Sequence, residues 1–398
     1  MKRVVITGMG AVTPLGNSFA ESWIAIKEGR SGIDVIKSFD VSKMPWKSAG
    51  QVKGFDPLIF LSRKESLHLD PFIHFAAAAS LMAADDAELI NHDNRKSAGV
   101  VIGSSRGGIS SLENTIALRT RISPYLMPAT TISMAASVSA YKLGAKGICM
   151  GISNACSSGT NAVGEAARLI RCGSAQIVFA GGSDAPVCPI CLKGYGSAKA
   201  LSKHSGNTAS RPFDKRRDGF VLAEGACVLV LEEMEHAINR NAGIYAEIIG
   251  YANTTDSYHL TKPLATGESA GIQSALADAG KNPAEIDLIS CHGTSTPIGD
   301  AVEAEAINSV FSKLYPAACG IKSSTGHMLA ASGAFETACA VMSMIEGIVP
   351  ATINSDRPDP DCRVNISDRM RTGLTINNAL INSFGFGGVN AALVLKKF

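Results

Sequence analysis

The amino-acid sequence predicts an α/β protein, and two observations lead to that prediction. Strand-like apolar runs alternate with helix-like, alanine-rich stretches along the whole chain of 398 residues. Only 18% of the residues are charged and 39 are glycine, which indicates extensive burial through closely packed small side chains. A chain of this length accommodates two ordinary domains or one large α/β unit.

The individual elements follow from local pattern. Short runs of branched apolar residues predict strands, and longer alanine-rich segments predict helices. The predicted strands are 3–7, 98–102, 175–180, 226–231, 245–251, 288–291, 318–321 and 391–395. The predicted helices are 19–28, 71–86, 159–171, 267–279, 300–311 and 332–346. A mild break at 240–243 divides the chain into expected halves, 1–242 and 243–398.

Charge and composition exclude several functions. A net charge of +2 and an isoelectric point near 8.0 give no electrostatic basis for binding nucleic acid. The basic cluster 215–217 precedes Asp218, which predicts a solvated turn rather than a polyanion site. No apolar run reaches about 18 residues, so no membrane helix is expected. Ten cysteines without regular spacing indicate a reducing, cytoplasmic location rather than a disulfide framework.

One cysteine stands out by its position. Cys156 lies in a Ser/Gly-rich turn between an apolar run that ends near Met150 and the predicted helix 159–171. This arrangement places the sulfur at a helix N-terminus, where the dipole and free N–H groups stabilise a thiolate. Cys156 is therefore a candidate nucleophile, although a lone cysteine is more often a buried structural residue.

Two histidine motifs in the second half favour the nucleophile interpretation. His292 ends a predicted strand and opens a Gly/Thr/Pro loop, and His327 precedes the alanine-rich helix 332–346. Lys322 and Glu336 flank His327, and both are unfavourable in an apolar setting unless they are paired. A thiolate can hold an acyl group while neutral imidazoles donate hydrogen bonds to an enolate oxygen. The set predicts carbon–carbon bond chemistry at a thioester.

With these motifs in their order along the chain, the sequence resembles the β-ketoacyl-[acyl carrier protein] synthases of the elongating type, within the thiolase superfamily. The motifs are Ala-Cys-Ser-Ser-Gly at 155–159, His-Gly-Thr-Ser-Thr-Pro at 292–297, Lys-Ser-Ser-Thr-Gly-His at 322–327, Arg-Pro-Phe-Asp at 211–214 with Asp-Gly-Phe-Val at 218–221, and Asn-Ser-Phe-Gly-Phe-Gly-Gly at 382–388. Their joint order is highly specific, whereas no single motif would be.

The resemblance implies a thiolase-like five-layered αβαβα fold of two pseudo-duplicated halves, a homodimer, and an acyl carrier protein as partner. It also implies that no resident metal or cofactor is needed, because phosphopantetheine arrives on the carrier. A heterodimer is left open.

The resemblance further assigns roles to residues. Cys156 takes the acyl chain, and His292 and His327 assist decarboxylation of malonyl-carrier. Backbone N–H groups of Cys156 and Phe386 form the oxyanion hole, and Lys322 is expected to pair with Glu336 and to order His327. The residues expected to contact substrate are Thr294, Thr296, Phe384, Phe386, Arg106 and Tyr195, with the two phenylalanines resembling the family's gate.

Two alternatives remain beside this assignment. A non-condensing partner subunit of a heterodimeric polyketide synthase, similar to a chain-length factor, would share the fold but lack the nucleophile, which this chain retains. A decarboxylase or acyltransferase could use the same site without forming a carbon–carbon bond.

Two departures from the family pattern concern specificity. Arg106 stands where elongating synthases usually carry an aliphatic or small residue, at the far end of the acyl pocket. It is expected to shorten that pocket or to pair with a polar or carboxylate chain end, unless it extends to a dimer interface or solvent. Leu67 and His68 replace two basic residues of the carrier-docking surface. The remaining docking candidates are Arg63, Lys64, Arg121 and Lys199.

Overall fold

A computed structural model describes residues 1–118, 122–312 and 314–398, and Arg121 lies outside them. The strands are β1 Val4–Val12, β2 Ile33–Val35, β3 Ser48–Gly50, β4 Gly99–Gly103, β5 Cys149–Ile152, β6 Ile177–Asp184, β7 Gly225–Glu233, β8 Ala246–Thr255, β9 Leu288–Ser290, β10 Ala317–Cys319, β11 Asn378–Gly385 and β12 Val389–Lys397. The helices are α1 Phe19–Lys27, α2 Arg63–His68, α3 Pro71–Asp86, α4 Ile109–Leu118, α5 Leu126–Thr130, α6 Met134–Leu143, α7 Ser158–Arg171, α8 Pro189–Ser197, α9 Met234–Asn239, α10 Ala265–Asp278, α11 Pro297–Phe311, α12 Lys322–Thr325 and α13 Ala330–Glu346.

The main sheet consists of two five-stranded parts with the same topology. The first part has the order β1-β7-β6-β4-β5, and the second has the order β8-β12-β11-β9-β10. In each part the first two pairings are antiparallel and the last two are parallel. A short antiparallel pairing of β1 with β8 joins the parts at Val4–Ile6. The chain therefore contains two halves with one repeated strand plan.

Helices cover both faces of each part. Helix α3 packs on β1 and β7 and against α6, and α10 packs on β8 and β12 and against α11. Helices α7 and α13 pack against each other between the two parts, with α7 on β4 and β6 and α13 on β6 and β11. The resulting order is helix, sheet, helix, sheet, helix, which is the five-layered arrangement that the resemblance implies.

Small residues let the central helices approach closely. A Cβ added at Gly159 or Gly182 would lie 2.0 or 2.1 Å from the carbonyl oxygen of Ala330. Each central helix is also entered through a residue with positive φ, Ala155 at 49° before α7 and Leu329 at 50° before α13. Such conformations are unfavourable for residues with a side chain and persist where surrounding packing enforces them. The two halves therefore repeat the turns before their central helices as well as the order of their strands.

The solvated turn expected at the basic cluster 215–217 is confirmed at Lys215, which is exposed, but not at Arg217. Arg217 is buried and bonds to the carboxylate of Asp359 and to the carbonyl oxygens of Thr296 and Pro297. Arg216 pairs with the buried carboxylate of Asp214. A guanidinium with several donors satisfies buried oxygens that a solvated turn would leave to water. The cluster holds the start of α11 in place.

In the part of the chain that the structure describes, no helix is both long enough and apolar enough to cross a bilayer. All ten cysteines are free.

Candidate active site

The nucleophile candidate lies in a short turn that serine hydroxyls fasten. Cys156 is in a 3₁₀ turn over Ala155–Ser157 that leads directly into α7. The Ser157 hydroxyl donates to the Asn154 carbonyl oxygen at 2.8 Å, and the Ser158 hydroxyl accepts from the Asn154 N–H at 2.8 Å. This turn contacts both α13 and β11. It therefore brings Cys156 to the elements of the second half.

Burial dominates the protonation of Cys156. The residue is 9% exposed, and desolvation raises the pKa of its thiol to about 11. The charges of Lys322 and Arg106 and a hydrogen bond from the Phe386 N–H lower that pKa in part. The sequence predicted that the helix N-terminus stabilises a thiolate. In the structure the thiol of Cys156 stays protonated at rest, because desolvation outweighs the stabilising groups.

Lys322 contacts His292, and the expected link from Lys322 to His327 is wrong. The Lys322 ammonium lies 3.3 Å from Nδ1 of His292, and it also donates to the His292 carbonyl oxygen and to Oε1 of Glu336, each at 2.5 Å. His292 follows β9 and Lys322 follows the neighbouring parallel strand β10, so both lie at one sheet edge. The expected pairing of Lys322 with Glu336 is present.

His327 is held by another residue, which the sequence did not point to. Its Nδ1 lies 3.3 Å from the Ser332 hydroxyl, which also accepts from the Met328 N–H at 3.0 Å. The His327 N–H donates to the Val221 carbonyl oxygen at 2.7 Å. The imidazole is therefore fixed by α13 and by the backbone of residue 221.

These contacts set the tautomer of His292 and allow the same tautomer in His327. An ammonium can only donate, so Nδ1 of His292 accepts from Lys322 and its proton is on Nε2. The Ser332 hydroxyl accepts from the Met328 N–H and can donate to Nδ1 of His327, the arrangement that places that ring's proton on Nε2. Nε2 of His327 is buried and has no partner among the described residues. Both histidines can donate a hydrogen bond from Nε2.

Both histidines are neutral at neutral pH. Burial lowers the pKa of His292 well below its usual value, and the positive charge of Lys322 lowers it further. Burial and the Lys322 charge act in the same way on the pKa of His327. The two rings meet edge to face, with centroids 5.4 Å apart. Two neutral donors therefore lie side by side.

Two acidic residues that sequence reasoning missed shape the His292 loop. The Glu303 carboxylate accepts from the N–H groups of His292 and Gly293, both at 2.7 Å. Asp300 accepts from the Ser295 N–H at 3.0 Å and the Phe213 N–H at 2.8 Å. Burial raises the pKa of Glu303 to about 7 and that of Asp300 to about 6. Asp300 and Glu303 are three residues apart and so lie on one face of α11. That spacing, directly after the histidine motif, could have indicated that both carboxylates bind the His292 loop.

The two threonines expected to contact substrate lie together in that loop. Thr294 and Thr296 are half-buried, and their hydroxyl oxygens are 3.0 Å apart. The Thr296 hydroxyl also caps α11 by accepting from the Gly299 N–H at 3.1 Å. Thr296 therefore has a structural contact of its own beside any contact with substrate.

The expected gate and Tyr195 surround the histidines with aromatic rings. Phe384 is buried with its centroid 5.9 Å from that of His292, and half-buried Phe386 lies 6.4 Å from Tyr195. Gly387 and Gly388 follow with φ of 92° and 72°, which only glycine adopts readily. Arg106 also contacts Tyr195, with its guanidinium carbon 5.6 Å from the ring centroid.

Three of the four docking candidates can be placed. Arg63 and Lys64 are exposed on α2, and Lys199 is exposed after α8. Arg121 lies outside the described residues. Leu67 and His68 stand where relatives carry basic residues. Leu67 is 71% exposed, and His68 stacks on Tyr125 with ring centroids 4.4 Å apart. The α2 surface thus combines two cations with an exposed leucine.

Comparisons with known proteins agree with this geometry. The model of the beta-ketoacyl synthase N-terminal domain matches residues 1–237, and that of the C-terminal domain matches residues 245–356. The chain is 44% identical over 100% of its length to a 3-oxoacyl-[acyl-carrier-protein] synthase 2 of Synechocystis, covering 98% of that protein. It is 42% identical over its whole length to the synthase of the same name from Coxiella burnetii, covering 99% of it.

Solved structures give the same result. The ishigamide ketosynthase/chain length factor superposes with a TM-score of 0.94 at 32% identity, covering 100% of this chain and 99% of that one. A beta-ketoacyl synthase from Burkholderia phymatum superposes with a TM-score of 0.94 at 31% identity, with both chains fully covered. These relatives confirm the predicted fold and the predicted acyltransferase-type condensing activity: the chain belongs to the beta-ketoacyl synthase family.

Proposed function

We propose that this synthase condenses an acyl group on Cys156 with a malonyl group on an acyl carrier protein. The observation that carries the proposal is the pair of neutral histidines, each with Nδ1 engaged and Nε2 available, beside a buried thiol that the Phe386 N–H faces. Two fixed donors for an enolate oxygen and one nucleophile are what a decarboxylative Claisen condensation requires.

In the first step, Sγ of Cys156 attacks the thioester carbonyl of acyl-carrier protein. The carbon–sulfur bond to pantetheine breaks, and the proton of Cys156 passes to the departing pantetheine sulfur. The N–H groups of Cys156 and Phe386 stabilise the tetrahedral oxyanion, and the resting thiol with its raised pKa is deprotonated only during this exchange.

In the second step, the bond between the malonyl carboxylate and its α-carbon breaks and carbon dioxide leaves. The electron pair forms an enolate whose oxygen accepts hydrogen bonds from Nε2 of His292 and of His327. The α-carbon then attacks the acyl-Cys156 carbonyl, and the thiolate departs as β-ketoacyl-carrier protein forms. Lys322 positions His292 through Nδ1, and Thr294 and Thr296 are proposed to contact the pantetheine arm.

A carrier protein as partner follows from the chemistry and from one relative. A solved structure at 34% identity and a TM-score of 0.89 is titled as a type II PKS acyl-carrier protein in complex with its ketosynthase bound to the hexaketide. Exposed Arg63, Lys64 and Lys199 supply positive charge for an acidic carrier. Phosphopantetheine then arrives on the carrier, and no resident metal or cofactor is needed.

We also propose a homodimer in the cytoplasm, with the halves divided at residues 242 and 243. Strand β5 is an edge of the main sheet, and its residues alternate between exposed and half-buried. Met127 and Tyr141, on the adjacent helices α5 and α6, are 63% and 75% exposed. An unpaired strand beside exposed apolar side chains supports pairing with a second copy. Ten free cysteines support a reducing compartment.

Intact-protein mass spectrometry tests the proposal. After incubation with a panel of acyl-carrier proteins, the wild type is expected to gain one acyl mass and Cys156→Ser to gain none. No acylation from any carrier would contradict the proposal and would favour the non-condensing partner subunit. Sedimentation of the wild type is expected at twice the 41.4 kDa chain mass.

A further inference from the structure

The loop that carries Arg106 is tied to the catalytic elements by a buried carboxylate. Asp184 accepts from the Ser104 hydroxyl at 2.8 Å and from the Arg106 N–H at 2.9 Å. The same carboxylate accepts from the N–H of Ala330, the first residue of α13, at 2.9 Å. The backbone of Arg106 is therefore fixed relative to the helix that follows His327.

The Arg106 side chain is exposed in the single chain, and its charge has no carboxylate partner among the described residues. Its Nε donates to the Ser105 hydroxyl at 3.2 Å, and its guanidinium carbon lies 5.6 Å from the Tyr195 ring centroid. Among residues 1–118, 122–312 and 314–398, no carboxylate oxygen lies within 4.0 Å of the guanidinium. The nearby Asp184 is already engaged by fixed donors. Arg106 thus retains free N–H donors in a fork that suits a carboxylate.

Two aromatic rings link this cation to His327. Tyr195 meets Phe220 edge to face at 5.3 Å, and Phe220 meets His327 in the same way at 5.3 Å. Tyr195 also lies in the apolar cluster that contains Cys156, Cys191 and Leu192. The positive charge of Arg106 lowers the pKa of the thiols of Cys156 and Cys191, in agreement with this proximity. Arg106, Tyr195 and Cys156 therefore belong to one neighbourhood of the fold.

We propose that Arg106 binds the carboxylate at the far end of a short dicarboxylic acyl chain held on Cys156. This inference rests on the proposed function and specifies its acyl substrate. A purely apolar chain would end beside the guanidinium without supplying an acceptor for its free N–H groups. An ω-carboxylate instead supplies two acceptor oxygens, so the loop selects chains by their end as well as by their length.

The test compares two pantetheine thioesters of equal chain length, hexanoyl and adipoyl, by the rate of Cys156 acylation. The wild type is expected to prefer adipoyl, and Arg106→Met to lose about 10- to 100-fold in adipoyl rate, since a charge-assisted hydrogen bond is removed. The hexanoyl rate is expected to be unchanged or higher. Arg106→Lys should retain part of the preference, and Arg369→Met, at another exposed arginine, should retain all of it.

Three results would overturn the proposal. Equal rates for the two thioesters in the wild type would do so, as would an Arg106→Met variant with unchanged preference. A variant that alters only the monomer–dimer equilibrium would assign Arg106 to the contact between copies. Acylation by hexanoyl-pantetheine in any of these cases leaves the proposed function standing, whereas no acylation by either thioester contradicts both.

Discussion

The two halves of the molecule share a strand plan but differ in the residues that come after the fifth strand in sheet order. In the first half, β5 leads to Cys156 and then α7. In the second half, β10 leads to Lys322 and His327 and then α13. Residues of β5 alternate between exposed and half-buried, whereas Lys322 and His327 are 1% and 2% exposed. Cys156 is itself buried, at 9% exposed, so both turns hold their reactive groups inside, the first behind a partly exposed strand and the second behind the mostly buried strand β10.

This difference explains how one repeated turn serves two chemistries. A nucleophile must be reached by two successive thioesters, and the turn of Cys156 follows an edge strand whose residues are partly exposed. Donors to an enolate are most effective where they are fixed and shielded from water, so the second half buries them. If the two halves act separately, acylation of Cys156 and decarboxylation of the malonyl group can be disabled independently of each other.

The largest expected effect comes from removing a histidine. His327→Ala or His292→Ala should lower malonyl decarboxylation by about 10²- to 10⁴-fold, because a preorganised donor to the enolate is lost. Acylation of Cys156 should continue within about tenfold of the wild-type rate. Carbon dioxide release and intact mass measure the two steps. Equal losses in both would show that the halves do not act separately.

Breaking the buried ion pair should produce the next largest effect. Lys322→Met leaves the Glu336 carboxylate unpaired, at a cost of about 3–5 kcal/mol in the free energy of unfolding. The double variant Lys322→Met/Glu336→Gln should recover much of that loss, since no buried charge remains. Urea unfolding of the wild type, both single variants and the double variant measures the coupling, and additive losses would contradict a direct interaction.

The lowered histidine pKa values predict a pH dependence of stability. Below about pH 6.5, the unfolded chain binds protons on His292 and His327 that the folded chain does not, so stability falls as the pH falls. The slope should approach about 1.4 kcal/mol per pH unit for each histidine.

A His292→Asn/His327→Asn variant isolates this contribution. Glu303 and Asp300, whose pKa values are raised, act in the opposite direction and remain present in both proteins. Urea unfolding at pH 5, 6 and 7 should show a flatter loss of stability on acidification for the variant. Parallel curves for the two proteins would mean that the histidines are charged when folded.

The smallest effect concerns the cap of α11 in the second half. Thr296→Val removes the acceptor of the Gly299 N–H and should destabilise the protein by about 1 kcal/mol. Thr294→Val keeps that cap and serves as the matched control, with a smaller loss of stability. If both variants instead raise only the KM for the malonyl carrier, the two hydroxyls act on the pantetheine arm alone.

Much of this fold was predictable from local pattern. The helix at 71–86 has the bounds that were predicted, since Asp70 caps it and Pro71 opens it. No strand is predicted at β5, because Cys149–Ile152 is short and contains glycine, or at β11, whose end belongs to the glycine-rich motif at 382–388. Helices α2, α5, α9 and α12 have six residues or fewer and give no clear periodicity.

The site was predictable as a set of residues but not as a network. Motif order identified Cys156 and both histidines, and the pairing of Lys322 with Glu336 followed from the need to pair buried charges. Sequence could not show that Lys322 contacts His292, because that contact depends on which strands are neighbours. The raised pKa of Cys156 likewise reflects tertiary burial, which a helix N-terminus alone does not reveal.

The most direct test of the central claim is the stoichiometry of a single turnover. Acyl-Cys156 enzyme, freed of excess donor, is mixed with malonyl-carrier protein, and carbon dioxide and the product are quantified as the acyl-enzyme mass disappears. Decarboxylative condensation predicts one carbon dioxide and one β-ketoacyl-carrier, two carbons longer, for each acyl group lost. Carbon dioxide release while Cys156 stays acylated would contradict it.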